Sequence, residues 1–148
     1  ELSYLLVYVA VPAGATALVV SGQRSDVDRF WTIVLLAEFV CYGMLPWIQT
    51  RPPRAIETSN GVAHSGVVRR LNLGLVNPAS IQVNTLPSGH AAGAVATALA
   101  VSTSLPYAGI AFLFMALSIS IATVLGRYHY VVDTVLGVLV AIVVWQLT

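Results

Sequence analysis

Across residues 91–126 the chain carries no charged side chain. A run of that kind points to a bilayer rather than to water as solvent. It is also too long for one crossing. Ser104-Leu105-Pro106 divides it, because proline cannot continue the preceding helix and drives the residue before it out of the α region. Two spans follow, at residues 88–103 and 107–125. The same reading finds apolar runs at residues 2–21, 30–48 (interrupted only by Glu38) and 130–147, each near the length that covers about 30 Å of hydrocarbon at 1.5 Å per residue. Composition agrees, with 57% hydrophobic and 9% charged residues in 148, against roughly 25% charged in a soluble domain. The expected fold is all-α, a polytopic transmembrane bundle of five spans forming one domain over residues 1–148.

Five spans fix which connections share a face. The polar stretch 49–87 and the junction 126–129 fall on one side, and the 22–29 link, the Pro106 turn and the C-terminus on the other. Trp31, Tyr107 and Trp145 are expected at one interface, and Trp47, Tyr128 and Tyr130 at the other. Ala92, Ala96 and Ala100 recur every four residues, a small-residue stripe that lets helix backbones approach closely. Within the polar stretch, Val67, Val68, Leu71 and Leu75 share a helical face opposite Arg69 and Arg70, which suits a short helix in the headgroup plane. All seven basic residues are arginine and the net charge is +1, so no nucleic-acid partner is indicated. Cys41 is the only cysteine, so no disulfide or thiolate metal site forms within one chain.

Three clusters meet on the loop face, within residues 49–133. The first is Arg51-Pro52-Pro53-Arg54. Arginine suits phosphate because its planar fork donates two parallel charged hydrogen bonds. The second, Pro87-Ser88-Gly89-His90, reads as a helix start: proline ends the incoming chain, serine caps, and glycine admits a ligand near the backbone. The amides and dipole of such a terminus favour an anion, with Ser88 and Gly89 as its cradle and His90 beside it. The third is Arg127-x-His129-x-x-x-Asp133. His129 and Asp133 lie four apart on one helix face, where the carboxylate can fix the tautomer and leave the other ring nitrogen as a nucleophile. Ionisable groups within spans are costly and usually functional. Arg69 and Arg70 read instead as headgroup anchors, His64 as a solvated bystander, and Glu38 as a buried hydrogen-bond partner. A zinc site from His90, His129 and Asp133 is disfavoured by the arginines around it; no metal and no cofactor are expected.

Pro87-Ser88-Gly89-His90 and Arg127-Tyr128-His129-Tyr130-Val131-Val132-Asp133 resemble the second and third signature motifs of the type 2 phosphatidic acid phosphatase superfamily. That superfamily includes membrane lipid phosphate phosphatases, phosphotransferases and vanadium haloperoxidases. Two positions depart from its pattern. Met44 stands where the first motif has a lysine, and Thr123 where the third has an arginine. The Pro-Pro-Arg form resembles the branch of inositol-phosphate and sphingolipid phosphotransferases, which favours Arg54 as a phosphate ligand beside Arg51 and Arg127. The family fold has six helices, which implies one preceding the five found here; the chain opens at Glu1 rather than methionine.

The resemblance implies a lipid phosphate or diphosphate as substrate and a phosphohistidine on His129, with His90 as acid and base. The alternatives are transfer to an alcohol lipid and a non-catalytic lipid-binding protein. The loop face carries more arginines than the other, which taken alone puts it in the cytoplasm. Bacterial relatives imply the opposite, a cytoplasmic-membrane protein with its site facing outward. Oligomeric state is not legible.

Overall fold

The computed structural model describes residues 2–53 and 83–148, and every regular element among them is helical. A single turn, α1 (Leu2–Leu5), leads into α2 (Val7–Val20). A 3-10 turn (Arg24–Asp26) then opens α3 (Val27–Gly43). After the polar stretch come α4 (Gly89–Ser104), α5 (Pro106–Leu125) and α6 (Val131–Leu147). Each of the five expected apolar runs thus carries a helix, with shifted bounds. The first run is broken at Leu6. The second starts in the polar link and ends at Gly43, where a turn over Met44–Trp47 takes over. Pro106 opens α5 at its first position, where its missing N–H costs nothing.

Three of these helices, α2, α3 and α6, are shorter than the runs that predicted them. Among the described residues only α5, with 20 residues, is both long and apolar enough to cross a membrane, while α2 and α6 are apolar but shorter.

Helix α4 occupies the centre and packs against α2, α3, α5 and α6. Its composition explains this position. Ala92, Ala96, Ala100 and Val101 join a core with Leu18, Phe30, Ile33, Val34, Ala37, Cys41 and Ala141, from α2, α3 and α6. Ala94 and Ala98, on the opposite side, join Ala10, Ala116 and Ile119 from α2 and α5. A helix this poor in large side chains can be surrounded at short interaxial distance. The small-residue stripe is therefore part of a helix buried all round.

The two ends of the bundle are tied as the order of spans requires. At one end the Ser104 hydroxyl bonds the Asp26 carboxylate, and the Trp145 indole N–H donates to Thr103 Oγ1 at 3.2 Å. At the other, Thr50 pairs with Asn84 in an isolated antiparallel bridge, and the Asn84 side chain reaches the carbonyl of Tyr128. Tyr107 and Trp47 stand out from opposite ends, 91% and 83% exposed. Tyr128 does not join Trp47: it is 4% exposed and packs against Ala122, because its backbone is drawn inward by the turn described below.

Candidate active site

The start of α4 is built by side chains on both sides of it. Ser88 is an extended N-cap whose hydroxyl accepts the N–H of Ala91 at 3.4 Å. Thr85, four residues before Gly89, accepts the Gly89 N–H on its hydroxyl at 3.1 Å. The Ser88 N–H donates to the Asp133 carbonyl at 2.8 Å. The amides of Ser88 and Gly89 thus have their partners inside the protein. Ser88 ties the start of α4 to α6, while Gly89 leaves room for Tyr42 and Glu38 of α3. Gly137 completes the contact with α6, since a Cβ there would run into the Ser88 carbonyl.

The second half of the site is the turn between α5 and α6. The Thr123 carbonyl accepts two N–H groups, from Tyr128 at 2.9 Å and His129 at 3.0 Å. The chain reverses through Arg127, whose φ of 59° lies in the left-handed region. A non-glycine residue held there costs roughly 1–2 kcal/mol, and such strain persists where the surroundings over-determine it. Arg127 itself is exposed, on the turn that delivers His129 to the interior.

Thr123, where the resembled motif has an arginine, is fully buried and its hydroxyl lies 3.3 Å from that of Thr134. Its part here is to pack α5 on α6 and anchor the turn.

His129 and Asp133 are 3% and 2% exposed, with Nδ1 3.6 Å from Oδ2. That is an ion-pair distance, longer than a hydrogen bond. The same Oδ2 accepts the Tyr130 N–H at 3.1 Å, so the carboxylate also caps α6. The orienting hydrogen bond expected from the sequence is therefore not made in this structure, although the carboxylate lies beside the ring nitrogen it would meet. From α4, His90 faces this pair, its ring centroid 5.6 Å from that of His129 at a 55° tilt. Tyr8 of α2 meets the His90 ring edge-on at 6.3 Å. Two imidazoles, one from α4 and one from the α5–α6 turn, thus converge with a buried carboxylate, a set that can supply a nucleophile, an orienting group and a proton carrier.

The arginines are divided. Arg51 is exposed and follows Thr50, so the bridge to Asn84 carries it alongside the lead into α4. Arg54 lies outside the described residues, as do His64, Arg69, Arg70 and the apolar face of residues 67–75. Met44, at the position of the missing lysine, sits in the turn after α3, where its carbonyl accepts the N–H groups of Trp47 and Ile48.

Glu38 reaches the same region from α3: its carboxylate fills the space that side chains at Gly89 and Gly93 would take. Expected as a hydrogen-bond partner, it is instead wedged against two glycines, and its Oε2 is buried with no hydrogen bond among the described residues.

Sequence reading missed Asn84, Thr85 and the anchoring role of Thr123. Thr85 had a local signal, a hydroxyl residue four before the glycine of a helix start. Asn84 had none.

The sequence model of the PAP2 superfamily matches residues 29–148. Comparison with curated proteins finds no match, and comparison with solved structures finds none.

Proposed function

We propose that this chain, which belongs to the PAP2 superfamily, whose members are generally phosphatases, is an integral membrane lipid phosphatase working through a phosphohistidine. The observation that carries this reading is the buried His129–Asp133 pair at 3.6 Å with the His90 ring beside it. The membrane part is supported by α5 and by what the helices turn outward: Phe39, Phe114, Leu117, Leu125, Val131 and Leu139 are all exposed. In water such large apolar side chains, exposed along several helices, would be poorly matched to their solvent. In hydrocarbon they are matched to their solvent.

The reaction proceeds in two displacements. His129 attacks phosphorus as the bond to the lipid oxygen breaks, and His90 delivers a proton to that leaving oxygen. A water then attacks the phosphohistidine, His90 takes its proton, and the N–P bond breaks to release inorganic phosphate. Asp133 stabilises the charge that His129 gains. Arg51, Arg54 and Arg127 hold the phosphoryl oxygens, supplying the positive charge that such transfer requires. With the Ser88 and Gly89 amides engaged elsewhere, the arginines carry more of that task than the sequence implied.

The test is phosphate release by the purified chain in detergent from a panel of lipid phosphates and diphosphates, with chelator present and alcohol lipids added in parallel. Release that survives saturating chelator is the expected result. Transfer to the added alcohol without free phosphate would make the protein a phosphotransferase. Turnover lost with chelator and restored by zinc or magnesium would remove the arginine-based mechanism, and no turnover on any substrate would leave a lipid-binding protein.

A further inference from the structure

The backbone of Asn84 is committed to the arginine segment: its N–H donates to the Thr50 carbonyl at 2.7 Å, and its carbonyl accepts the Thr50 hydroxyl at 3.3 Å. Its side chain faces the other way. Nδ2 donates to the Tyr128 carbonyl at 2.6 Å, in a residue only 9% exposed. The acceptor fixes the amide's orientation, because a carbonyl can be met only by the NH2 end. Tyr128 lies between Arg127, at positive φ, and His129. Thr123 holds this turn from within the α5–α6 connection, and Asn84 reaches it from another segment.

We infer that Asn84 is a positioning residue for phosphoryl transfer, registering the His129 turn against the Arg51 segment by its clasp on the Tyr128 carbonyl. The role rests on His129 acting as the nucleophile. The chemistry asks for this residue type. Both backbone groups are used in the bridge, so the clasp has to come from a short side chain that carries a donor. Aspartate has the same shape but presents an oxygen to the carbonyl. Alanine removes the donor that residue 84 supplies to this carbonyl. In either case the Thr50 bridge persists, and only the register of the turn is released.

The experiment uses the full chain in detergent with Asn84→Ala and Asn84→Asp, and the thermal midpoint of each variant establishes that it is folded before labelling begins. Acylation of histidines by diethyl pyrocarbonate is followed residue by residue by mass spectrometry, alongside nitrophenyl phosphate turnover. In both variants His129 should label about tenfold faster, the factor that a buried carbonyl stripped of its donor puts on a local opening equilibrium. His90 labelling should be unchanged. kcat should fall about 10–100-fold, as when a group that orients an active-site histidine is lost, while KM holds. Unchanged His129 labelling, or equal acceleration at both histidines, overturns the clasp. Absence of turnover in the unsubstituted chain instead counts against the phosphatase reading, and the labelling arm still decides the role of Asn84.

Discussion

At the residue scale the two histidines differ in what holds them. His129 is backed by a carboxylate and tied through its own N–H to Thr123, whereas His90 rides on the first turn of α4 with an aromatic edge against it. A nucleophile needs a fixed position and a fixed tautomer, and a proton carrier needs access to both the leaving group and water. That asymmetry predicts distinct failures. His129→Ala should form no covalent intermediate with any substrate. His90→Ala should lose about 10²–10⁴ in turnover of a lipid phosphate, yet retain much of the first step on nitrophenyl phosphate, whose leaving group needs little protonation. With no base to activate water, acid-labile phosphate label should then collect on His129. Label retained after His129→Ala would reverse the two roles.

At the scale of elements, the contact that unites the site is α4 on α6. At the site its closest approach is backbone on backbone: Gly137 lets the Ser88 carbonyl come against the α6 backbone, while the Ser88 N–H binds the Asp133 carbonyl. Backbone cannot yield as a flexible side chain can, so a Cβ here must push the two helices apart. Gly137→Val should destabilise the fold by about 1–3 kcal/mol, the usual range for overpacking, and should separate His90 from the His129–Asp133 pair. A lowered thermal midpoint in detergent, with kcat reduced more than the loss of folded protein explains, is the expected pair of results. Gly43, where an added Cβ meets nothing within 4 Å, gives the control. A Gly137→Val protein with full activity and an unshifted midpoint would mean that the helices do not pack here as described.

At the scale of the molecule, the arrangement is a central helix of small residues wrapped by helices whose outer faces are as apolar as their inner ones. Among the described residues only α5 reaches about 30 Å by its own length. The bilayer reading is therefore tested best on its outer face. Phe114, 69% exposed near the middle of α5, touches lipid if the reading is right, and Phe114→Arg should cost roughly 2.5–3.5 kcal/mol in insertion. The fraction of chain resisting carbonate extraction from membranes should fall. A soluble protein would accept a surface arginine without loss, so unchanged extraction and stability would count against the membrane assignment.

What the sequence determined by itself is what neighbouring residues decide among themselves. Proline at 106 suits the first position of a helix because its fixed φ is already helical and its missing N–H is not needed there, and Ser88 caps because its hydroxyl reaches an amide three residues on. The closeness of His129 to Asp133 was legible in their spacing, although His129 stands before the N-cap Tyr130 and not on a face of α6. Order along the chain then brings both motifs to one end of the bundle. Only the tertiary structure decided which polar groups remained available. The Ser88 and Gly89 amides looked ready for an anion, yet Asp133 and Thr85 take them; Tyr128 looked like an interface aromatic, yet its backbone is drawn into the core; Asn84 carried no signal, yet it clasps a carbonyl 44 residues away. A buried donor or acceptor must be satisfied by whatever packing brings near, and that partner is set by how α4, α5 and α6 close on one another, which no local pattern encodes.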